Sequence, residues 1–238
     1  MLKNRTEAGE LLAQELAEFR DDPDAILLAL PRGGVVVGYQ LSLALRLPLD
    51  VLITRKIGAP MNPEYALGAV GETGAVYWNR QALAELSLSE QDLESAVRAQ
   101  REEVARRVIL YRQRRPFPRL KDRTVILVDD GLATGATFFA AAATVRQGSP
   151  RRVIGAVPVG PRATVQEARS LLDQLIVLMV PEPFHAVGNF YQDFAQVQDR
   201  EVLKDLFLAE EACLARNTAA AEPAETGNAG REREEDRR

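Results

Sequence analysis

The sequence predicts an α/β fold, a doubly wound and mainly parallel sheet with helices on both faces. Three observations predict it. Short apolar runs of strand length recur at Ala25–Leu30, Leu49–Thr54, Val125–Asp129, Arg152–Pro158 and Leu175–Val180. Runs that are apolar on both faces suit strands of a parallel sheet covered by helices. Helical stretches separate these runs, and the turns after two of them are rich in glycine. Strand, turn, helix and strand in that order form the unit from which parallel sheets are built. A length of 238 residues, 46% hydrophobic and 27% charged, suits one generous α/β domain or two small ones.

The elements follow in order. Arg5–Phe19 reads as an amphipathic helix with Leu12, Leu16 and Phe19 on one stripe, closed by Asp21, Asp22 and Pro23. Ala25–Leu30 is the first buried strand, Pro31–Gly34 a turn, Val35–Leu45 a helix and Leu49–Thr54 the second strand. From Lys56 to Asn79 the pattern changes. Six glycines and prolines break up short β-prone stretches, and ALGAV and GAVYW read as a hairpin around Gly71–Gly74. Arg80–Arg115 is helical, with capping pairs offered by Ser87 with Glu90 and by Ser89 with Asp92. After the strand Val125–Asp129 come a Gly/Thr loop and an alanine-rich helix closed by Gly148. A strand at Arg152–Pro158, a helix at Thr164–Leu172 and a strand at Leu175–Val180 complete the domain. A single domain is expected over residues 1–216. Residues 217–238 carry almost no large apolar side chains and read as a disordered tail.

Composition narrows the functional classes. The net charge is −4, so no overall basic balance speaks for nucleic acid, although the arginines between Arg98 and Arg115 leave a small opening. One cysteine, Cys213, and one histidine, His185, exclude an intrachain disulfide and a Cys/His zinc site by arithmetic. No apolar run approaches the length of a membrane span, and the N-terminus has no apolar signal core. A reducing, cytoplasmic setting is expected, with no membrane partner. A homodimer is left open. No Gly-x-Gly-x-x-Gly, Walker loop or Gly-x-Ser-x-Gly elbow occurs, which counts against dinucleotide, ATPase and hydrolase-triad readings.

The chemistry concentrates in VILVDDGLATGAT, Val125 to Thr137. Four apolar residues end in two carboxylates, Asp129 and Asp130, at the C-terminal end of a strand. Ligands of open α/β sheets bind at that end. Gly131, Leu132, Ala133, Thr134, Gly135, Ala136 and Thr137 then lead into a helix. A small-residue loop at a helix N-terminus presents N–H groups and the positive end of the dipole to a phosphate. Two carboxylates beside a phosphate repel it unless they accept hydrogen bonds from sugar hydroxyls or reach a Mg²⁺ ion. The ligand this asks for carries a phosphate and a polyol together, as a ribose phosphate does. A capped turn is the alternative for a lone pair of aspartates. The whole pattern is more specific than that.

This segment resembles the phosphoribosyl-pyrophosphate-binding signature of type I phosphoribosyltransferases. The resemblance implies that Asp129 and Asp130 hold the ribose 2′- and 3′-hydroxyls, with Mg²⁺ at or near them, and that Leu132–Thr137 wraps the 5′-phosphate. It also implies a pyrophosphate loop after the first core strand. Pro31–Gly34 falls there, with Arg32 for charge and Gly33 and Gly34 for close approach of the backbone. Arg55 and Lys56, after the next strand, resemble an Arg-Lys pair in orotate phosphoribosyltransferases that contacts pyrophosphate. A solvated charge pair is their other reading. Ala133 stands where 6-oxopurine enzymes of the family have an acidic residue, which argues against a hypoxanthine or guanine mechanism.

The stretch Gly58–Asn79 sits where the family has a flexible catalytic loop that closes over the site and excludes water. Its carboxylates, Glu64 and Glu72, are candidates for general acid/base work, or ordinary exposed glutamates. In Pro181–Phe194, the side chains Phe184, Phe190 and Tyr191 could form a hood that stacks on a base, or a small satellite core. The reaction expected is transfer of a ribosyl 5-phosphate from phosphoribosyl pyrophosphate to a nucleobase-like nitrogen nucleophile, with release of pyrophosphate. The rival is a non-catalytic module that senses phosphoribosyl pyrophosphate or a nucleotide.

Overall fold

The computed structural model describes residues 1–113 and 115–221, the side chains of Glu64 and of residues 217–221 excepted. Five strands form the main sheet: β1 (Ala25–Ala29), β2 (Leu49–Val51), β6 (Thr124–Val128), β7 (Arg152–Val159) and β8 (Gln174–Met179). Their order is β2-β1-β6-β7-β8, and every neighbouring pair is parallel. The strands read as continuous apolar runs because both faces are covered. Leu27, Ala29, Ile126, Val128, Ile154 and Ala156 face one layer of the core. Ile26, Leu28, Val125, Leu127, Val153 and Val157 face the other. The first layer is closed by α1 (Arg5–Glu15), α2 (Gly33–Leu45) and α7 (Asp199–Ala221), which bring Leu12, Leu41 and Val202 to it. The second is closed by α5 (Ala136–Gln147) and α6 (Arg162–Leu171), which bring Phe138, Phe139 and Val165.

The irregular stretch is better ordered than a loop. Strands β3 (Thr54–Ala59), β4 (Asn62–Gly71) and β5 (Val76–Trp78) form a three-stranded sheet in the order β3-β4-β5, antiparallel throughout. The expected hairpin is there: Gly68 faces Trp78 and Val70 faces Val76. Its turn closes with the Gly74 N–H on the Gly71 carbonyl at 2.9 Å, and Gly74 has φ 86°. Ala66 and Ala69 pack with Ala136 and Ala140, so small side chains let the sheet lie close against α5. The second strand of the main sheet is correspondingly short. It ends at Val51 instead of Thr54, because Thr54 already pairs with Gly71 in the second sheet.

The helical stretch after Asn79 is broken into α3 (Arg80–Glu85), a 3₁₀ turn at Gln91–Leu93, and α4 (Glu94–Arg112). Of the two capping pairs, Ser89 with Asp92 forms: the Ser89 N–H and hydroxyl donate to Asp92 at 2.8 and 2.6 Å. Glu90 pairs instead with Arg80, at 2.5 Å. Helix α7 runs through Ala221, five residues past the boundary expected at 217. The rest of the expected tail, 222–238, lies outside the described residues.

Asp205 on α7 is half-buried, and burial pushes its carboxyl up to about 6. A carboxyl raised on folding contributes stability below its unfolded value, and that contribution is lost as pH rises through about 6. Asp205→Asn is therefore expected to raise the melting temperature by a few degrees at about pH 8 and to change it little at about pH 4. Thermal unfolding at the two pH values checks this.

Candidate active site

The chain leaves β1 toward β2 on one side and later returns to β6 on the other. The carboxyl ends of β1 and β6 therefore flank the point where strand order reverses, which is where open α/β sheets bind ligands. Both glycine-rich turns converge there. Pro31–Gly34 follows β1, and Asp129–Gly135 follows β6.

The approach is close enough to require glycine. A Cβ at Gly33 would lie 1.8 Å from Asp130 Oδ2, and one at Gly34 would lie 2.9 Å from the Val128 carbonyl and 3.2 Å from Asp129 Oδ1. The two glycines open α2, and no side chain caps it. Sequence periodicity began that helix two residues later, at Val35. The Pro31–Arg32 peptide is cis, and Arg32 Nη1 lies 3.8 Å from Asp199 at the start of α7.

Each carboxylate has one oxygen held by the protein. The Asp130 N–H donates to Asp129 Oδ1 at 2.8 Å, and Arg5 Nε donates to Asp130 Oδ2 at 2.7 Å. Among the described residues no N–H donor reaches Asp129 Oδ2 or Asp130 Oδ1, and the two carboxyl groups lie within hydrogen-bonding distance of each other. Burial pushes both carboxyls up, Asp129 well above the usual carboxylate range, with the neighbouring Asp130 charge adding to it. For Asp130 the Arg5 charge works against burial. Two adjacent, half-buried carboxylates are a cost in the unliganded protein, and perturbed groups of this kind cluster at functional sites.

The loop beyond them is built as a cradle. Gly135 has φ 77° and is the N-cap of α5, which has no side-chain cap. The N–H groups of a helix's first turn have no intrahelical acceptor. Thr134 is exposed and Thr137 half-buried, and neither hydroxyl has a protein partner among the described residues. The Thr164 hydroxyl fixes the loop by donating to the Ala133 carbonyl at 2.9 Å, and the Leu132 N–H donates to the Val159 carbonyl at 2.8 Å.

The remaining candidates stand as follows. Arg55 and Lys56 lie inside β3, opposite Val70 and Ala69, and not on a loop after a parallel strand. Arg55 Nε donates to Gln100 on α4 at 3.2 Å. Glu72 is 6% exposed, with both oxygens occupied. Arg112 on α4 donates to each of them, and the Ile53 N–H donates to Oε2 at 3.0 Å. A carboxylate so engaged suits a structural post better than proton transfer. The side chain of Glu64 lies outside the described residues. Phe184 and Phe190 stack at 5.2 Å and pack with Leu2, Met179, Val187 and Tyr191, which is the satellite core the composition allowed. Tyr191 is buried and donates its hydroxyl to the Asp130 carbonyl at 2.7 Å.

One residue at the site escaped the sequence reading, and a second was given a different role. Arg5 lies 125 positions from Asp130, in a charged helix that offers no motif. Tyr191 was read as a hood residue, yet it anchors the loop backbone. The N-terminal segment that carries the neighbouring Leu2 pairs with it: the Leu2 N–H donates to the Phe190 carbonyl at 2.9 Å, and the Gln192 N–H to the Leu2 carbonyl at 2.8 Å.

A parallel sheet with this order, a carboxylate pair and two glycine loops at its switch point define a nucleotide- or sugar-phosphate-binding α/β protein. A family model described as the phosphoribosyl transferase domain matches residues 2–177. The chain belongs to that family. It is 38% identical over 203 residues to a provisionally named phosphoribosyl transferase of Mycobacterium tuberculosis, a match that covers 85% of this chain and 46% of the relative. The chain thus spans about half the length of the curated relatives it matches. The crystal structure of the protein TT1426 from Thermus thermophilus is similar at 42% identity and a TM-score of 0.73, covering 87% of this chain and 98% of that one. No helix among the described residues is long and apolar enough to cross a membrane.

Proposed function

We propose that the protein binds phosphoribosyl pyrophosphate with Mg²⁺ at the crevice between β1 and β6 and transfers its ribosyl 5-phosphate group to a nucleobase-like nitrogen nucleophile. The observation that carries this reading is the packing of Gly33 and Gly34 directly against Asp129 and Asp130. One ligand can then touch both loops with its sugar between them.

In this reading Asp129 Oδ2 and Asp130 Oδ1 accept hydrogen bonds from the two ribose hydroxyls. The N–H groups of Ala133–Thr137 and the hydroxyls of Thr134 and Thr137 hold the 5-phosphate. The Gly33 N–H, with Arg32, holds the pyrophosphate, while Gly34, whose N–H donates to the Leu30 carbonyl at 3.1 Å, keeps the backbone close to the ligand. The nucleophile's nitrogen attacks C1 of the ribose as the bond from C1 to the pyrophosphate oxygen breaks. Fixed donors then receive the charge that develops on the leaving group.

The residues present fit Mg²⁺. No group of three or more His, Cys, Asp or Glu converges among the described residues. Mg²⁺ commonly needs only one or two carboxylates besides ligand oxygens and water. Asp129 and Asp130 would supply them. Bound there, the ion would neutralise charge on the pyrophosphate.

Pyrophosphate release from phosphoribosyl pyrophosphate in the presence of a panel of bases tests the reading. Base-dependent release is expected. Binding without release with any nitrogen acceptor would leave a sensor and sink the transferase reading.

A further inference from the structure

Arg5 joins the acidic pair to the hood. Its Nε donates to Asp130 Oδ2 at 2.7 Å, and its Nη1 donates to the Ala195 carbonyl at 2.9 Å. Its guanidinium carbon lies 3.8 Å from the centre of the Phe194 ring. The side chain is 11% exposed. A planar guanidinium held at one carboxylate, one carbonyl and one ring has little freedom left, and a lysine could not reproduce the fork. The segment that carries it is also fastened. Asn4 caps α1 by accepting from the Glu7 N–H at 3.0 Å, and the Asp193 N–H donates to the Lys3 carbonyl at 2.9 Å.

The contact is selective between the two oxygens of Asp130. It occupies Oδ2, on the side of Gly33, where a Cβ would also meet Arg5 Nε at 2.7 Å. Oδ1 takes no N–H donor among the described residues. Asp129 shows the same division, with Oδ1 tied to the Asp130 N–H. Two neighbouring carboxylates, each with one oxygen taking a protein N–H and the other taking none, offer the pair of acceptors that a vicinal diol requires.

We infer that Arg5 is a positioning residue for ribose recognition: it sets the rotamer of Asp130, so that seating of the N-terminal segment on the hood and presentation of Asp130 Oδ1 to the sugar are one event. This inference rests on the proposed ligand. Arg5 acts on the sugar through Asp130: its side-chain hydrogen bonds go to Asp130 and to the Ala195 carbonyl, and none goes to the Pro31–Gly34 loop. Its loss therefore weakens a ligand with a ribose diol and spares one without.

The test is calorimetric titration of the full chain with phosphoribosyl pyrophosphate and, separately, with inorganic pyrophosphate, both with Mg²⁺. For Arg5→Ala the dissociation constant for phosphoribosyl pyrophosphate is expected to rise about tenfold or more, and that for pyrophosphate to stay within about twofold. Arg5→Lys is expected to fall between wild type and Arg5→Ala for the first ligand alone. It also carries the test if Arg5→Ala does not fold. Equal loss for both ligands would mean a merely structural role and overturn the inference. Unchanged or tighter binding of phosphoribosyl pyrophosphate would overturn it too, the latter by making Arg5 a competitor for Asp130. Failure of the wild type to bind phosphoribosyl pyrophosphate would remove the proposed function and this inference with it. Wild-type binding with an indifferent Arg5 would remove the inference alone.

Discussion

Arg112→Leu is expected to lower stability by about 3–5 kcal/mol, the usual cost of breaking a buried ion pair from one side. The arginine is 1% exposed. It ties three elements together: it donates to both oxygens of Glu72 at the β4–β5 turn, to the Val51 carbonyl at 2.6 Å, and to Asp50 at 3.4 Å. Removing it leaves the Glu72 carboxylate charged and buried, with only the Ile53 N–H beside it. At about 2–4 °C per kcal/mol for a chain of this size, the melting temperature should fall by roughly 6–20 °C. Chemical denaturation measures the loss directly, and a change below about 1 kcal/mol would show that the second sheet does not depend on this pair. Glu72→Gln separates structure from catalysis. It should cost stability while turnover per folded molecule holds, and a collapse of turnover at unchanged stability would return Glu72 to the catalytic role considered for it.

Gly33→Ala should cost affinity rather than fold. The added methyl carbon would lie 1.8 Å from Asp130 Oδ2, 2.6 Å from its Cγ and 2.7 Å from Arg5 Nε. These are side-chain atoms, so the clash is relieved by turning Asp130 out of place, and the backbone can stay. The turned carboxylate no longer meets the sugar hydroxyl. One charge-assisted hydrogen bond contributes about 1.5–3 kcal/mol, so the dissociation constant for phosphoribosyl pyrophosphate should rise at least roughly tenfold and up to about a hundredfold. Gly34→Ala should do more, because its Cβ would meet backbone: the Val128 carbonyl at 2.9 Å and Asp129 Cα at 3.0 Å. Wild-type affinity in Gly33→Ala would show that the two loops do not share a ligand.

The parallel sheet was legible because its strands β1, β6 and β7 are buried on both faces and read as nearly unbroken apolar runs. The two loops were legible because carboxylates, glycines and threonines at strand ends are costly unless a ligand uses them. The second sheet was only half legible. Gly71 and Gly74 marked one hairpin, but Arg55, Lys56 and Gly58 read as loop chemistry, although pairing with β4 makes them strand. Glu72 drew attention as a carboxylate in a glycine-rich stretch. Nothing local announced that Arg112, 40 residues on, would claim it. Arg5 was invisible as a site residue for the same reason, and Tyr191 was named as a hood residue without its bond to the loop backbone. Their partners are fixed by how the two ends of the chain pair, and no periodicity or motif encodes that pairing.

Calorimetric titration of phosphoribosyl pyrophosphate with Mg²⁺ into the wild type, Asp129→Asn and Asp130→Asn tests the central claim most directly. The amide keeps the shape of the carboxylate but loses its charge and half its acceptor capacity. Burial and the neighbouring charge hold the Asp129 carboxyl well above its ordinary value. A raised carboxyl contributes stability at low pH and loses it as pH rises, so at neutral pH the unliganded Asp129→Asn protein should melt at the wild-type temperature or above it. The account predicts that the wild type binds and that each Asn variant binds roughly tenfold to a hundredfold more weakly. A wild type that does not bind, or three proteins that bind alike, would contradict it.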